Sequence, residues 1–348
     1  LKILVVAEDL SPPLDEGMKK TAWHLVRAWE KGHEVLTLTR RQPAQGLQSP
    51  RQIRIDKFFQ HSDLCRSAGG YAPDVSIYFP EASATRNSFW RSRRLKLITR
   101  RPVAMMALQP RSYGLFDRYL IRRWAPDLLV AQSSSYARRL RELCPRVVEV
   151  PLGIDLGRFR PPRPEEKQKL KARFGMPLDR PIVLHVGHIK ENRNLRDLCT
   201  VARTDKFQVV VLGSTSTRQE EAVLRDLEAS GVTVIADYVE SVEDLYRAAD
   251  VYVFPVQAPD AAMDLPLSVL EAMATNLPVV TRPFGGLADR FAESESFRYY
   301  QRREDLEAAV QSVLNVPSRN RELVSHFSWE NVAREILQHI ALEKETPN

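Results

Sequence analysis

Short apolar runs alternate with longer helical repeats along this chain. Lys2–Ala7 is a β-rich run, and in Met18–Trp29 the residues Ala22, Leu25, Val26 and Trp29 recur at helical spacing. Gly32 marks the end of that helix, ahead of a second strand at Glu34–Leu38. Further strands are expected at Val75–Tyr78, Val103–Ala107, Leu128–Ala131 and Val147–Val150, bounded by turn residues and separated by helical stretches. That pattern predicts a parallel sheet covered on both faces. Residues 157–181 interrupt it. Arg160-Pro161-Pro162-Arg163-Pro164 reads as stiff and extended, and the charged helix Glu165–Phe174 ends at Gly175, so this stretch is expected to be a linker. The rhythm then restarts with strands at Ile182–Val186, Gln208–Leu212, Thr233–Ala236, Val251–Phe254 and Pro278–Val280, and with helices that include Val242–Ala249 and Leu267–Ala274. Two successive α/β domains follow, with the cleft between them as the expected ligand site. The amphipathic helix Trp329–Leu342 is expected to cross back and pack on the first domain.

Length agrees with two domains, since 348 residues exceed what one ordinary core organises. Hydrophobic residues at 43% and charged residues at 27% give a globular profile rather than a disordered one. No apolar run approaches the roughly 20 residues that span a bilayer. The first strand opens the sequence with no leader-like segment ahead of it, and Cys65, Cys144 and Cys199 are far apart without metal-ligand spacing. The expectation is a cytoplasmic protein with reduced thiols.

Charge changes the picture more than its sum suggests. Residues 1–150 carry 26 Lys and Arg against 14 Asp and Glu, whereas the remainder carries 25 against 30. A basic half joined to a mildly acidic half points to an anionic partner for the first domain, either nucleic acid or an acidic membrane surface. The nucleic-acid reading lacks a recognition-helix signature, an RNA-binding sheet motif and zinc spacing, and no nucleic acid is expected as a partner. Asn87–Arg101 is the most basic stretch. In it Phe89, Trp90, Leu95, Leu97 and Ile98 interleave with Arg91, Arg93, Arg94 and Lys96, a composition suited either to an anionic lipid interface or to a core-facing helix with an arginine-rich outer face.

Neither G-x-G-x-x-G nor G-x-x-x-x-G-K-[ST] occurs, which removes most of the case for hydride transfer and ordinary ATPase chemistry. Two other elements suit phosphate. In Asp264-Leu265-Pro266-Leu267-Ser268, Asp264 is expected to cap a helix whose first N–H groups and positive dipole end can receive a diphosphate. After the strand Ile182–Val186, Gly187 lets the chain turn, and Lys190 and Arg193 supply cations, with Arg able to pair with two oxygens at once.

At these residues the chain resembles the family-4 retaining glycosyltransferases. Val148–Pro161 is similar to that family's interdomain hinge and Gly187 through Arg193 to its diphosphate loop, with Arg193 at the position of the usual Lys and His188 where Arg is common. Val239–Pro255 resembles the segment ending at the nucleotide pocket, and Leu270–Ala274 with Leu277–Val280 and Gly285-Gly286 resembles the family's most recognisable stretch. The resemblance implies a GT-B fold of two Rossmann-like parallel-sheet domains facing across a deep cleft. One is an acceptor domain over 1–156, joined by a C-terminal helix at 329–345, and the other a donor domain over 157–328. It implies a hexose transferred with retention from a nucleotide-diphosphate sugar, UDP favoured over GDP-mannose, to the hydroxyl of a lipid or lipid-linked glycan at the cytoplasmic membrane face.

Roles follow position by position. Glu271 would hold the ribose hydroxyls and the N–H groups near Leu267 and Ser268 the distal phosphate, with Asp264, Leu265 and Pro266 alongside. Arg193, helped by Lys190, would neutralise the leaving diphosphate, while Tyr238 and Val239 would lie near the base and Gly17 close to the diphosphate. Gln109 stands where a histidine is common and would bond the transferred sugar. Lys19, Lys20 and Arg111 would meet the acceptor. The family often carries a second glutamate eight positions before Glu271, and Met263 occupies that place here. No metal or other cofactor is expected. The alternative is a catalytically weak sugar-nucleotide-binding module.

Overall fold

The computed structural model describes residues 1–341, so residues 342–345 of the anticipated C-terminal helix lie outside the described residues. The chain forms two compact units. Among the described residues, the first comprises Leu1–Gly153, Met263–Leu265 and Trp329–Ala341, and the second Ile154–Ala262 and Pro266–Ser328.

The first unit holds seven strands: β1 (Lys2–Ala7), β2 (Glu34–Thr39), β3 (Pro50–Gln52), β4 (Val75–Phe79), β5 (Val103–Met106), β6 (Leu128–Ala131) and β7 (Val147–Glu149). They pair in parallel in the order β3-β2-β1-β4-β5-β6-β7. Val75–Phe79 is buried at every position, as a strand covered on both faces requires. Edge strand β3 escaped the sequence reading because Pro50-Arg51-Gln52 carries no apolar pattern, and Pro is tolerated at a strand's first residue on an edge. The helix Trp329–Ala341 packs on helix Gly17–Glu30 of this unit, where Trp29 Nε1 donates to Ala333 O at 3.0 Å and Lys31 pairs with Glu330 at 2.6 Å.

The second unit holds β8 (Ile182–Gly187), β9 (Gln208–Gly213), β10 (Thr233–Ile235), β11 (Val251–Phe254), β12 (Val279–Thr281) and β13 (Phe297–Tyr299). Their order is β10-β9-β8-β11-β12-β13, again parallel. The order reverses between β8 and β11. In an open α/β sheet, ligands bind outside the carboxyl ends of the strands at such a point. β13 was not foreseen, since Phe-Arg-Tyr is too short to show a period.

The stretch expected to be a linker is instead built into this unit. Helix Glu166–Arg173 is pinned by ion pairs from Lys167 and Lys171 to Asp250 at 2.6 and 2.8 Å and from Arg173 to Asp244 at 2.8 Å, and Arg160 grips Glu166 at 2.7 Å. Its charges read as solvated in sequence because their partners lie about 70 to 80 positions away.

Candidate functional site

The switch point of the second sheet is floored by side chains that the strand pattern alone marks as core. β8 and β11 pair only as far as Leu184 and Tyr252. Beyond that point the fully buried His185 fills the gap, its Nδ1 2.9 Å from the carbonyl oxygen of Val253 and its ring stacked on Tyr252 and tilted against Phe254. Tyr252 is the joint of the site. Its hydroxyl donates to Val186 O at 3.4 Å and lies within electrostatic reach of both Arg193 and Glu271. Burial first, and the Glu271 charge after it, push the Tyr252 phenol well up, so it stays neutral. Tyr246 donates to Glu271 Oε2 at 3.0 Å, which fixes that buried carboxylate on the helix Leu267–Ala274.

Tyr252 therefore lies within electrostatic reach of a charged group on each of the two phosphate-suited elements. Helix Leu267–Ala274 begins with Pro266 as its N-cap and no side-chain cap bond, so its first N–H groups have neither an intrahelical partner nor a capping side chain. The expected cap, Asp264, does not serve. It lies two residues earlier, buried in the first unit, where its backbone N–H donates to Leu108 O at 2.8 Å. Leu265 shares that unit, whereas Pro266, Leu267 and Ser268 belong to the second.

Arg193 ends a 3₁₀ turn, Glu191–Arg193, after β8. The residue as a whole is half-buried, and its Nε is shut off from solvent with no hydrogen-bond partner. Desolvation pushes its pKa down to about 10. A cation held in this way is set up for an anion. Gly187 leaves room beside it, since a Cβ there would sit only 3.0 Å from His185 Nε2 and push on that ring. Lys190 and His188 are half-buried on the same loop, Val239 is half-buried, and Tyr238 is exposed after β10. Among the described residues no cluster of three His, Cys, Asp or Glu could hold a metal ion.

Burial also pushes the His185 pKa down to about 4, helped by the nearby Arg193 charge. The unfolded imidazole takes its proton near pH 6.5, so the folded state is fully favoured above that pH and loses stability as pH falls toward 4. Between pH 7 and pH 5 the wild-type protein should lose about 2 kcal/mol more stability than His185→Phe in chemical denaturation. Equal losses would show that His185 is not buried neutral.

In the first unit, several residues expected to meet an acceptor or a membrane are tied inward. Arg91 grips the buried Glu8 at 2.7 and 2.8 Å, and Tyr78 donates to the same carboxylate. Trp90 packs edge-on against Trp124 with its Nε1 buried. Those two are corrected out of a lipid-facing stripe, leaving Arg93 exposed and Arg94 half-buried. Lys19 is buried against Asp9 at 3.3 Å rather than solvated, while Lys20 is half-buried and Gly17 opens the same helix. Gln109 accepts from Arg111 Nη2 at 3.4 Å, and Ser83 and Tyr136 hold the Gln109 carbonyl at 2.8 and 3.0 Å. The exposed apolar face lies elsewhere, on helix Leu115–Trp124. Leu115, Phe116 and Tyr119 are 89%, 67% and 58% exposed there, and Arg122 and Arg123 continue the same helical face.

Residues 166–327 match the family described as Glycosyl transferases group 1. The chain is 33% identical over 239 residues to the D-inositol 3-phosphate glycosyltransferase of Geodermatophilus obscurus, covering 59% of this chain and 50% of that protein. It is 27% identical over 240 residues to the enzyme of that name from Rhodococcus erythropolis, covering 61% and 53%. The chain thus spans about half the length of the curated relatives it matches. In structure it resembles sucrose-phosphate synthase from Thermosynechococcus elongatus, with a TM-score of 0.80, 18% identity and coverage of 99% and 100%. It also resembles Anabaena HepE in complex with UDP-glucose, with a TM-score of 0.79, 15% identity and coverage of 98% and 99%. The chain is therefore a GT-B-fold protein related to the D-inositol 3-phosphate glycosyltransferases, with a glycosyl transferases group 1 domain at residues 166–327.

Proposed function

We propose that this chain transfers a hexose, with retention, from a UDP-sugar to the hydroxyl of a lipid or lipid-linked glycan at an anionic membrane surface. The observation that carries the donor half is Arg193, a desolvated cation with an unpartnered Nε at the switch point of the second sheet. In this reading the Arg193 guanidinium, with Lys190, and the N–H groups of Leu267 and Ser268 hold the diphosphate, and Glu271 accepts the ribose hydroxyls. The bond between the anomeric carbon and the phosphate oxygen breaks, and its electron pair leaves with the diphosphate. The acceptor oxygen then bonds the anomeric carbon on the same face, and its proton passes to the departing phosphate oxygen. Stabilising the charge that builds on the diphosphate is the main catalytic task, and it is electrostatic. Gln109 is assigned to the transferred sugar, with Arg111 on the acceptor side.

UDP-glucose in complex with a protein of like fold supports a UDP donor. A thermal-shift panel in buffer containing EDTA tests it, since a ligand that binds only the folded state raises its melting temperature. UDP-hexoses should give the largest shift, GDP-mannose a smaller one, and Arg193→Ala none. Equal silence from every nucleotide sugar would refute the donor reading.

The membrane half rests on Leu115, Phe116 and Tyr119, exposed beside Arg122 and Arg123. Apolar side chains that enter the headgroup boundary, next to cations worth about 1 kcal/mol each near an anionic surface, suit peripheral docking. Sedimentation should show binding to anionic but not neutral vesicles, reduced at least roughly tenfold by Leu115→Ser with Phe116→Ser, the loss of about 1.4 kcal/mol. Binding unaffected by the double substitution would place docking elsewhere.

A further inference from the structure

Among the buried side-chain polar atoms of the second unit that lack partners, two are complementary. The Nδ1 atom of His185 lies 2.9 Å from the Val253 carbonyl oxygen, which can only accept, so Nδ1 carries the proton and Nε2 is left with a lone pair. That Nε2 is buried without a hydrogen bond and points at the underside of Gly187, 3.0 Å from where a Cβ would sit. The Nε–H of Arg193 is a donor, equally buried and equally without a partner. The Arg193 charge reaches the imidazole, and the Tyr252 ring that stacks on His185 lies within electrostatic reach of Arg193. Folded proteins seldom leave such atoms unpaired.

We infer that His185 is a positioning residue for Arg193, its Nε2 accepting from one buried water that in turn accepts the Arg193 Nε–H, so that the two Nη groups face the diphosphate. This inference rests on the proposed donor site for its functional consequence, but the hydrogen bond itself does not. The Val253 carbonyl sets the tautomer, the Tyr252 and Phe254 rings set the plane, and the guanidinium is thereby held by its edge. A planar fork aimed in this way meets two phosphate oxygens without searching for them.

Two measurements test the inference. In nitrogen-15 NMR, the Arg193 Nε–H signal, assigned by its loss in Arg193→Lys, should be slow to exchange in the wild-type protein and fast in His185→Phe. This arm needs no donor, so it stands even if no sugar transfer is found. In kinetics, His185→Phe should lower kcat about tenfold with a smaller change in donor KM, His185→Gln should recover most of the loss by returning an acceptor at the Nε2 position, and His185→Phe should change kcat less than twofold in an Arg193→Lys background. If His185→Phe fails to fold, His185→Asn, which keeps a donor for Val253 but cannot reach the Nε2 position, carries the same comparison. An Arg193 signal unchanged by loss of the imidazole, or an equal tenfold cost in both backgrounds, overturns the inference.

Discussion

Arg193→Met should reduce kcat/KM for sugar transfer about 100-fold, roughly 2.7 kcal/mol of transition-state stabilisation, without destabilising the fold. Met keeps much of the aliphatic stem and removes the charge. The guanidinium is desolvated, and burial pulls its pKa down to about 10, so folding opposes its charge instead of gaining from it. Relieving that cost should leave stability unchanged or raise it by about 1 kcal/mol. Residues retained at the expense of stability are commonly functional. Steady-state kinetics and a denaturant melt on the same variant check both halves. A less stable protein with full transfer would mean that Arg193 is structural.

Asp197→Asn should act in the opposite sense, costing about 3 to 5 kcal/mol of stability in the second unit. Asp197 is buried on the helix Arg196–Ala202, which follows the Arg193 turn. It accepts from Arg282 at 2.7 and 3.2 Å, from Arg303 at 2.9 Å and from the Tyr300 hydroxyl at 3.0 Å. Arg282, only 8% exposed just after β12, would then keep its charge without a full counter-charge. Breaking one partner of a buried network is far more costly than never having built it. A shift of less than about 1 kcal/mol in the urea midpoint free energy would show that water reaches Arg282 and screens it.

The fold was legible because strands buried on both faces leave a strong mark. Runs such as Val251–Phe254, and the helix Leu267–Ala274, could be bounded to the residue. What sequence hid was pairing at a distance. Arg91 read as a cation for either a lipid interface or a solvated outer face until Glu8, 83 positions away, appeared against it, and the charged helix expected over Glu165–Phe174 read as part of a linker until Asp244 and Asp250 appeared. Other cations of the basic first unit are similarly engaged, Arg41 with Asp9, Arg118 with Glu142 and Lys96 with Asp127, which leaves less free positive charge than the count of residues implied.

The site divides the same way. Gly187 and Arg193 stood out by residue type and neighbours, and Glu271 through the family resemblance. His185, Tyr246 and Tyr252 did not, because each occupies a position where a core aromatic or aliphatic residue would satisfy the pattern equally well. A histidine two residues before the glycine that ends β8 was the one available signal, and its meaning depends on where β8 and β11 stop pairing.

A structure of the protein soaked with UDP tests the central claim most directly. The pyrophosphate should lie within hydrogen-bond distance of the Arg193 guanidinium and the first-turn N–H groups of Leu267 and Ser268, with a ribose hydroxyl on Glu271. Nucleotide density remote from Arg193, or a pyrophosphate held by neither of these two elements, would contradict the account.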